Sequence, residues 1–230
     1  MTSYHTIKIF HDGSWNQGTF IMHKRLEVLH GAGQRKLRNG DIEEGTFIYD
    51  EFHEGTKTYA IGDVFTGTFQ YGCLIQGTKK YADGDVYSGT FELIFKNGTI
   101  LKSILVKGIQ KFLDGTIFEG TCQLVYKNDE IENNFLVKGK FVNKDGEIHS
   151  GLFVDGNLVK GIIKCPDGRI MKGEFVSFNR GDDTITQIKK GECTRPGRLV
   201  LSGDFIDGKL VRGEKKYQDG RVVIIKQCLV

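Results

Sequence analysis

The sequence predicts an all-β fold, an elongated single-layer antiparallel sheet of about eight stacked β-hairpins, on three observations. Glycine recurs in a fixed register, because a turn glycine is followed five residues later by a second glycine in most units. A phenylalanine often stands two residues after that second glycine, as Phe91 follows Gly89. The segments between turns alternate β-branched or aromatic residues with polar ones, which is typical of half-buried strands.

The turn glycine divides the chain into units that form one predicted repeat domain over residues 1–230. In most units Asp or Asn precedes it, and these pairs favour tight turns because glycine accepts positive φ. The shortest units repeat every 22 residues, as from Gly40 to Gly62 to Gly84, within the range of known repeat architectures. Eight units open near residues 13, 40, 62, 84, 115, 146, 168 and 197, and a terminal half-unit follows from residue 220.

In most units a third glycine stands seven residues before the turn glycine of the next unit. The units therefore differ in length in the segment between their second and third glycines. Each unit is therefore predicted to be a hairpin with one of these glycines in each strand. Three longer units predict extended hairpins that project as fingers over residues 91–105, 123–136 and 176–189. Their tips are expected around residues 96–98, 127–129 and 180–182.

The strand glycines predict a specific contact with aromatic rings. Tyr87, Gly89 and Phe91 share one face because side chains alternate along a strand. A strand glycine leaves room for a neighbouring ring to lie across its backbone. The alternative is that glycine only permits twist or a bulge. The candidate structural residues of the repeat are Phe65, Gly67, Phe69, Tyr87, Gly89, Phe91, Phe118 and Gly120.

The register at the hairpin tips has two solutions. A two-residue Asp-Gly loop would pair Phe153 with Leu158, whereas a three-residue loop with a glycine bulge would pair Phe153 with Asn157. The second register is favoured, because it keeps Val159 and Gly161 on the face of Phe153 with the other apolar residues.

Composition narrows the class of protein. Glycine is about twice as frequent as usual, at 31 of 230 residues, and only two prolines occur, which excludes collagen. The five cysteines are widely scattered and odd in number, which argues against a disulfide framework or a zinc site and favours a reducing compartment. No apolar run approaches the length of a membrane span and no signal-peptide core is seen, so a cytoplasmic protein is expected.

Several units together resemble the MORN (membrane occupation and recognition nexus) repeat family. Tyr87 to Phe91 is similar to the family's Y-x-G-x-W core, and Gly31-Ala32-Gly33 followed by Asn39-Gly40 is similar to its G-x-G…D-G half. Nearly the whole chain is covered, although the aromatic position is occupied elsewhere by Asn16, Glu43, His149 and Met171. The resemblance implies an elongated sheet of stacked hairpins, scaffolding at membranes or the cytoskeleton, contact with anionic lipid, or an accessory role beside enzymes.

Basic residues concentrate in the second half, where residues 101–230 carry 22 basic and 17 acidic side chains, against 10 and 12 in residues 1–100. Many precede the third glycine or stand four residues later, which predicts a column of cations on the face opposite the aromatic rings. This column is a candidate surface for binding anionic partners. The alternative interpretation is that it is only a solvated face, whose charges prevent aggregation. The column comprises Lys107, Lys111, Lys138, Lys140, Lys160, Lys164, Lys190, Arg212 and Lys216.

The sequence lacks the motifs of the common enzyme classes, and no histidine stands at a catalytic or metal-binding spacing from a cysteine or carboxylate. The prediction is a non-enzymatic scaffold for protein partners with no cofactor and no metal. The alternatives are a peripheral module for anionic lipid and an inhibitor or enzyme-accessory protein that acts through the long hairpins. Nucleic acid is disfavoured because the aromatic rings are committed to the other face, and a homodimer is hypothesised through an end strand or the aromatic face.

Overall fold

The computed structural model describes residues 3–96, 98–127, 130–180, 183–197 and 199–226. The chain forms two compact units, unit 1 over Met1–Leu113 and unit 2 over Asp114–Val230. Every helix or strand assigned within the described residues is a β-strand, and in each unit the strands pair antiparallel with their sequence neighbours. The predicted all-β fold of stacked hairpins is therefore confirmed.

Unit 1 begins with a single strand and continues with four hairpins. Consecutive strands pair throughout, so each hairpin lies beside the next. The strands are β1 (Ser3–Ile9), β2 (Trp15–His23), β3 (Leu26–Lys36), β4 (Ile42–Ile48), β5 (Glu51–Thr58), β6 (Val64–Gln70), β7 (Cys73–Lys80), β8 (Val86–Lys96) and β9 (Thr99–Lys111).

Unit 2 contains four hairpins followed by a single short strand. Its strands also pair in the order of the sequence. They are β10 (Ile117–Lys127), β11 (Glu130–Val142), β12 (Ile148–Val154), β13 (Asn157–Lys164), β14 (Ile170–Arg180), β15 (Asp183–Arg195), β16 (Leu199–Ile206), β17 (Lys209–Lys216) and β18 (Val222–Ile225).

The three predicted long hairpins are present as β8–β9, β10–β11 and β14–β15, each built from strands of 11 and 13 residues. A register shift follows the second glycine in each of them, as between Thr90 and Phe91. Of the predicted tips, residues 97, 128–129 and 181–182 lie outside the described residues.

The favoured register at the tip of β12–β13 is wrong. Phe153 pairs with Leu158 and Val154 with Asn157, which leaves a two-residue loop of Asp155 and Gly156. Both loop residues have positive φ, 48° and 77°, the conformation of a tight turn that follows the twist of the strands. A bulge beside Phe153 then restores the pairing of Gly151 with Gly161, so the apolar face is kept without a longer loop.

Strand glycines lie directly opposite one another in an unbroken row across each unit. In unit 1 the row runs over eight strands from Gly18 to Gly108, and in unit 2 over eight strands from Gly120 to Gly213. Nearly all of these glycines have φ between 137° and 155°, where other residues are strained. The fixed spacing in the sequence is therefore the spacing of this row.

At most glycines of the row, an added Cβ would meet the backbone of the neighbouring strand. A Cβ added to Gly67 would lie 2.1 Å from the carbonyl oxygen of Gln76, and one added to Gly89 would lie 2.0 Å from that of Lys107. The nearest atoms to such a Cβ belong to the backbone of the partner strand, which approaches closely. Glycine is required here for positive φ and for this approach between two backbones.

Each unit buries its apolar side chains on one face of its strands, called here the inner face, while the other is the outer face. In unit 1 this core contains Phe20, Leu29, Phe47, Phe52, Phe69, Leu74, Phe91 and Leu105. In unit 2 it contains Leu136, Phe153, Leu158, Ile163, Cys165, Phe175, Ile188, Cys193, Leu201 and Phe205. Full burial of one Phe, Leu or Ile side chain contributes about 1.5–3 kcal/mol, so the two cores stabilise the stacking of the hairpins.

In unit 1, aspartates tie each turn between hairpins to the next one. The Oδ1 of Asp41 accepts from the amide N–H of Ala60 at 3.0 Å, and the Oδ1 of Asp63 accepts from Ala82 at 2.9 Å. Asp85 repeats the contact with the amide of Leu113 at 3.1 Å. These bonds fix the spacing of the turns at this edge.

Candidate functional site

The predicted basic column lies on the outer face, where eight of its nine residues are exposed and Lys140 is half-buried. Lys107 and Lys111 belong to unit 1, and the other seven belong to unit 2. In unit 1, Lys107 stands opposite Thr90 and Lys111 opposite Val86. Each unit therefore presents its own part of the column.

In unit 2 the cations are interrupted by carboxylates. Glu174 stands between Lys160 and Lys190, because it pairs with both across neighbouring strands. Asp204 stands in the same way between Lys190 and Arg212. The outer row, as we call it, consists in strand order of Lys138, Leu152, Lys160, Glu174, Lys190, Asp204 and Arg212.

The remaining basic residues of unit 2 have other neighbours. Lys140 stands between Glu119 and Ser150. Lys164 is flanked by Ile148 and Ile170, and Lys216 by Val200 and Val222. The structure thus brings Lys138, Lys160, Lys190 and Arg212 into one row with two acidic residues, and places the other three outside it.

The structural residues of the predicted motif lie on the inner face. Phe69 and Phe91 are buried in the core of unit 1, with Phe65 and Tyr87 packed against it, and Phe118 packs against the core of unit 2. Around Phe65 and Tyr87 the rings form a ladder of edge-to-face contacts with centroids 4.7–5.7 Å apart, a favourable arrangement. Its members are Tyr59, Phe65, Tyr81, Tyr87 and Phe112.

The inner face of unit 1 also holds a buried charge cluster that the sequence did not predict. The Nε of Arg35 donates to the Oε2 of Glu43 at 2.9 Å, and the Nζ of Lys57 lies 3.0 Å from its Oε1. Only 3% of the Glu43 side chain is exposed, against 19% for Arg35 and 10% for Lys57. Two cations therefore share one carboxylate away from solvent.

Lys79 is a further cation on this face, two strands from Lys57. Its Nζ donates to the carbonyl oxygen of Ser103 at 2.8 Å and to the Oγ at 2.7 Å. It also lies 4.4 Å from the ring centroid of Phe91 and 5.3 Å from that of Phe65. Burial lowers the pKa of Lys79 to about 8, because removing an ammonium from water disfavours its charged form.

A half-enclosed cavity of about 390 Å³ adjoins Lys79. Its walls come from the strands around β7 and from the part of β9 that carries Ser103. Among the residues that line it are Tyr59, Phe65, Tyr87, Phe91 and Lys102. The bonds from Lys79 to Ser103 hold that part of the long β8–β9 hairpin against β7.

Unit 2 contains a histidine–carboxylate–thiol contact where the sequence predicted none. The Nε2 of His149 and the Oε1 of Glu147 lie 2.5 Å apart, and the thiol of Cys165 donates to the Oε2 at 3.4 Å. Burial, with the bond to Glu147 contributing, raises the pKa of Cys165 to about 11, so the thiol is held protonated. The carboxylate stands between the histidine and the thiol, so the histidine is not placed to accept a proton from sulfur.

The hydrogen bond to His149 lowers the pKa of Glu147, which gives a prediction for acid stability. A carboxyl with a lowered pKa in the folded state stabilises the fold above its unfolded pKa, and this contribution is lost as the pH falls through the folded value. The loss of unfolding free energy on Glu147→Gln should therefore be complete at neutral pH and shrink below about pH 4.5. Urea titrations over a pH series measure this difference.

The matched control for that prediction is the same substitution in a His149→Asn background. There the dependence on pH should be smaller, because the partner that lowers the pKa has been removed. A difference between wild type and Glu147→Gln that stays constant from neutral to acidic pH would contradict the assignment.

Two signals in the sequence point to the inner-face charges. Glu43 and His149 occupy the position two residues before the second glycine, where other units have an aromatic residue. Lys57 and Lys79 both follow a third glycine in the motif Gly-Thr-Lys. Residues at these offsets share the face of the glycines, so a charged residue there is expected to be buried.

Two further observations concern the described residues alone. They contain no cluster of three or more His, Cys, Asp or Glu side chains arranged to hold a metal ion. Within the same ranges there is no helix long and apolar enough to span a membrane.

Comparison with known proteins does not identify a family for this chain. No family model matches the chain, and no curated protein matches it. Twenty-four chains of solved structures match. One, with the description "Structural analysis of the microcephaly protein CPAP G-box domain suggests a role in centriole elongation", covers 98% of this chain and 100% of its own at 14% identity, with a TM-score of 0.24. A likeness with so low a TM-score supports no statement about this chain's function.

Proposed function

We propose that this chain is a divergent MORN-type repeat protein that acts as a non-enzymatic scaffold and binds a protein partner through the outer row of unit 2. The proposal is carried by the alternation of charge along that row, in which Lys160, Lys190 and Arg212 are separated by Glu174 and Asp204. Such a row recognises a protein surface of complementary alternating charge, because each like-charged contact in a wrong register is penalised.

The dimensions and exposure of the row also support the proposal. Its seven residues lie on seven neighbouring strands, so at ~4.8 Å per strand the row extends over roughly 29 Å. All its basic residues and Glu174 are exposed, and Leu152 is 47% exposed, which offers an apolar contact among the charges. A scaffold of this kind would act in the cytoplasm, at a membrane or on the cytoskeleton.

The alternative of an anionic-lipid module rests on the same basic residues. Each lysine or arginine near an anionic membrane gains about 1 kcal/mol. Glu174 and Asp204 would be repelled by that membrane and oppose the gain. The protein partner is therefore preferred over the lipid surface.

The test is affinity capture by the full-length chain from the cells that express it, followed by quantitative mass spectrometry. A Lys160→Glu/Lys190→Glu variant is compared with wild type and with Lys144→Glu/Lys209→Glu, which makes the same change of charge at two exposed sites of the same unit, one in a turn and one at the start of β17. We expect a partner that wild type and control retain and that the row variant loses by at least about tenfold, or about 1.4 kcal/mol.

Two outcomes would contradict the proposal. Equal capture by all three proteins would remove the outer row as the binding surface. Binding to phosphatidylserine vesicles but not to phosphatidylcholine vesicles, lost only in the row variant, would assign the row to anionic lipid.

A further inference from the structure

The cavity beside Lys79 lies within unit 1 and belongs to the inner face, so it is separate from the proposed partner surface. It measures about 390 Å³, inside the usual range for small-molecule sites. Aromatic rings supply much of its wall, including Phe65, Tyr87 and Phe91. Such walls favour a ligand with an apolar body.

The charge of the lining is unbalanced. Two lysines, Lys79 and Lys102, line the cavity, and no aspartate or glutamate is among the described residues that do. A buried ammonium without an acidic partner is costly, which is why buried charges are usually paired. Lys57, by contrast, has the carboxylate of Glu43 at 3.0 Å.

Lys79 also keeps donor capacity for a ligand. An ammonium has three N–H bonds, and the two bonds to Ser103 account for two of them. The oxygens of Ser103 are neutral, so the positive charge is solvated but not neutralised. A ligand carboxylate would add a charge-assisted hydrogen bond, about twice as strong as a neutral one.

We propose that this cavity binds a small carboxylic acid whose apolar body lies against the aromatic rings and whose carboxylate pairs with Lys79. Size, apolar walls and one uncompensated buried cation define this class of ligand. The site does not depend on the proposed scaffold function, and either proposal can fail while the other stands.

Binding is tested by calorimetric titration of the full chain with 3-phenylpropionate and with octanoate. The matched neutral probes are 3-phenylpropanol and octanol, and acetate supplies the carboxylate without the apolar body. We expect saturable binding of the two acids and at least about tenfold weaker binding of the alcohols and of acetate. If neither acid shows saturable binding, the proposal is overturned.

The role of Lys79 is tested with Lys79→Met against Lys80→Met. The neighbouring Lys80 is exposed and points to the outer face, so its loss should leave binding unchanged. Lys79→Met should weaken the binding of the acids at least about tenfold while the weak binding of the alcohols persists. Equal affinities in the two variants would contradict the proposal.

A measurement on the unaltered protein keeps the test independent of how the variant folds. A carboxylate beside Lys79 raises its pKa, so binding near pH 8 should take up a fraction of a proton, up to about one half. Titrations in buffers of different ionisation enthalpy measure this uptake. The other titratable groups at the cavity are Tyr59, Cys73, Tyr81, Tyr87 and Lys102.

The expected uptake falls at neutral pH, where Lys79 is already mostly protonated. Saturable binding that takes up no proton at any pH from about 8 to about 10.5, the range up to the ordinary pKa of lysine, would show that the ligand does not approach Lys79, and would overturn the assignment.

Discussion

Gly67→Ala should lower the free energy of unfolding of unit 1 by about 3–5 kcal/mol. Gly67 has φ of +143°, a region that other residues adopt only with strain. The added Cβ would stand 2.1 Å from the carbonyl oxygen of Gln76, so β6 and β7 would have to separate. Urea unfolding followed by the fluorescence of Trp15, the single tryptophan, measures the change in this unit.

The same substitution at Gly72, at the tip of the same hairpin, is the matched control. Gly72 also has positive φ, 76°, but an added Cβ would have no atom within 4 Å. Gly72→Ala should therefore cost only about 1–2 kcal/mol, the penalty of the left-handed conformation. Equal losses at the two positions would show that the approach of the strands does not explain the glycine row.

Glu43→Gln should destabilise unit 1 by about 3–5 kcal/mol, the cost of breaking a buried ion pair from one side. The substitution keeps the shape of the side chain but leaves Arg35 and Lys57 without a counter-charge. Little solvent can screen them, because the side chains are only 19% and 10% exposed. The midpoint of urea unfolding reports the loss, provided that the slope is unchanged.

Glu44→Gln supplies the control, since Glu44 is exposed on the opposite face of the same strand. Its effect should stay within about 0.5 kcal/mol. Adding Lys57→Met to Glu43→Gln should recover part of the stability, because one unpaired cation is removed. The explanation fails if the double variant is as unstable as the sum of the two single variants.

The hairpin repeat could be predicted from the sequence because the backbone conformation at the row positions strongly favours glycine. Gly67 and Gly77 could not be other residues at their φ values and separation, so the row leaves a regular trace in the chain. The three long hairpins followed for the same reason, since inserted residues fall between two fixed glycines. The close approach of two backbones was not predicted, because a glycine shows that space is needed and does not show which atoms fill it.

The candidate sites could be predicted from the sequence less fully than the fold. The basic residues were found on the outer face as the alternation of strand side chains predicted, but the places of Glu174 and Asp204 between them depend on the register of strand pairs both within and between hairpins. Lys79 and Ser103 are 24 residues apart and meet across two strands that are not neighbours in the sheet. No local pattern encodes such a contact.

The sequence by itself determined the local geometry: the strands, the turns, the glycine register and the face on which each side chain lies. The tertiary structure decided which charges meet, namely the pairing of Glu43 with two cations, the alternation along the outer row and the cavity beside Lys79. The physical reason is the separation along the chain over which each effect acts. Backbone strain acts within a few residues and marks them individually, whereas electrostatic contacts depend on strands that only the folded sheet brings together.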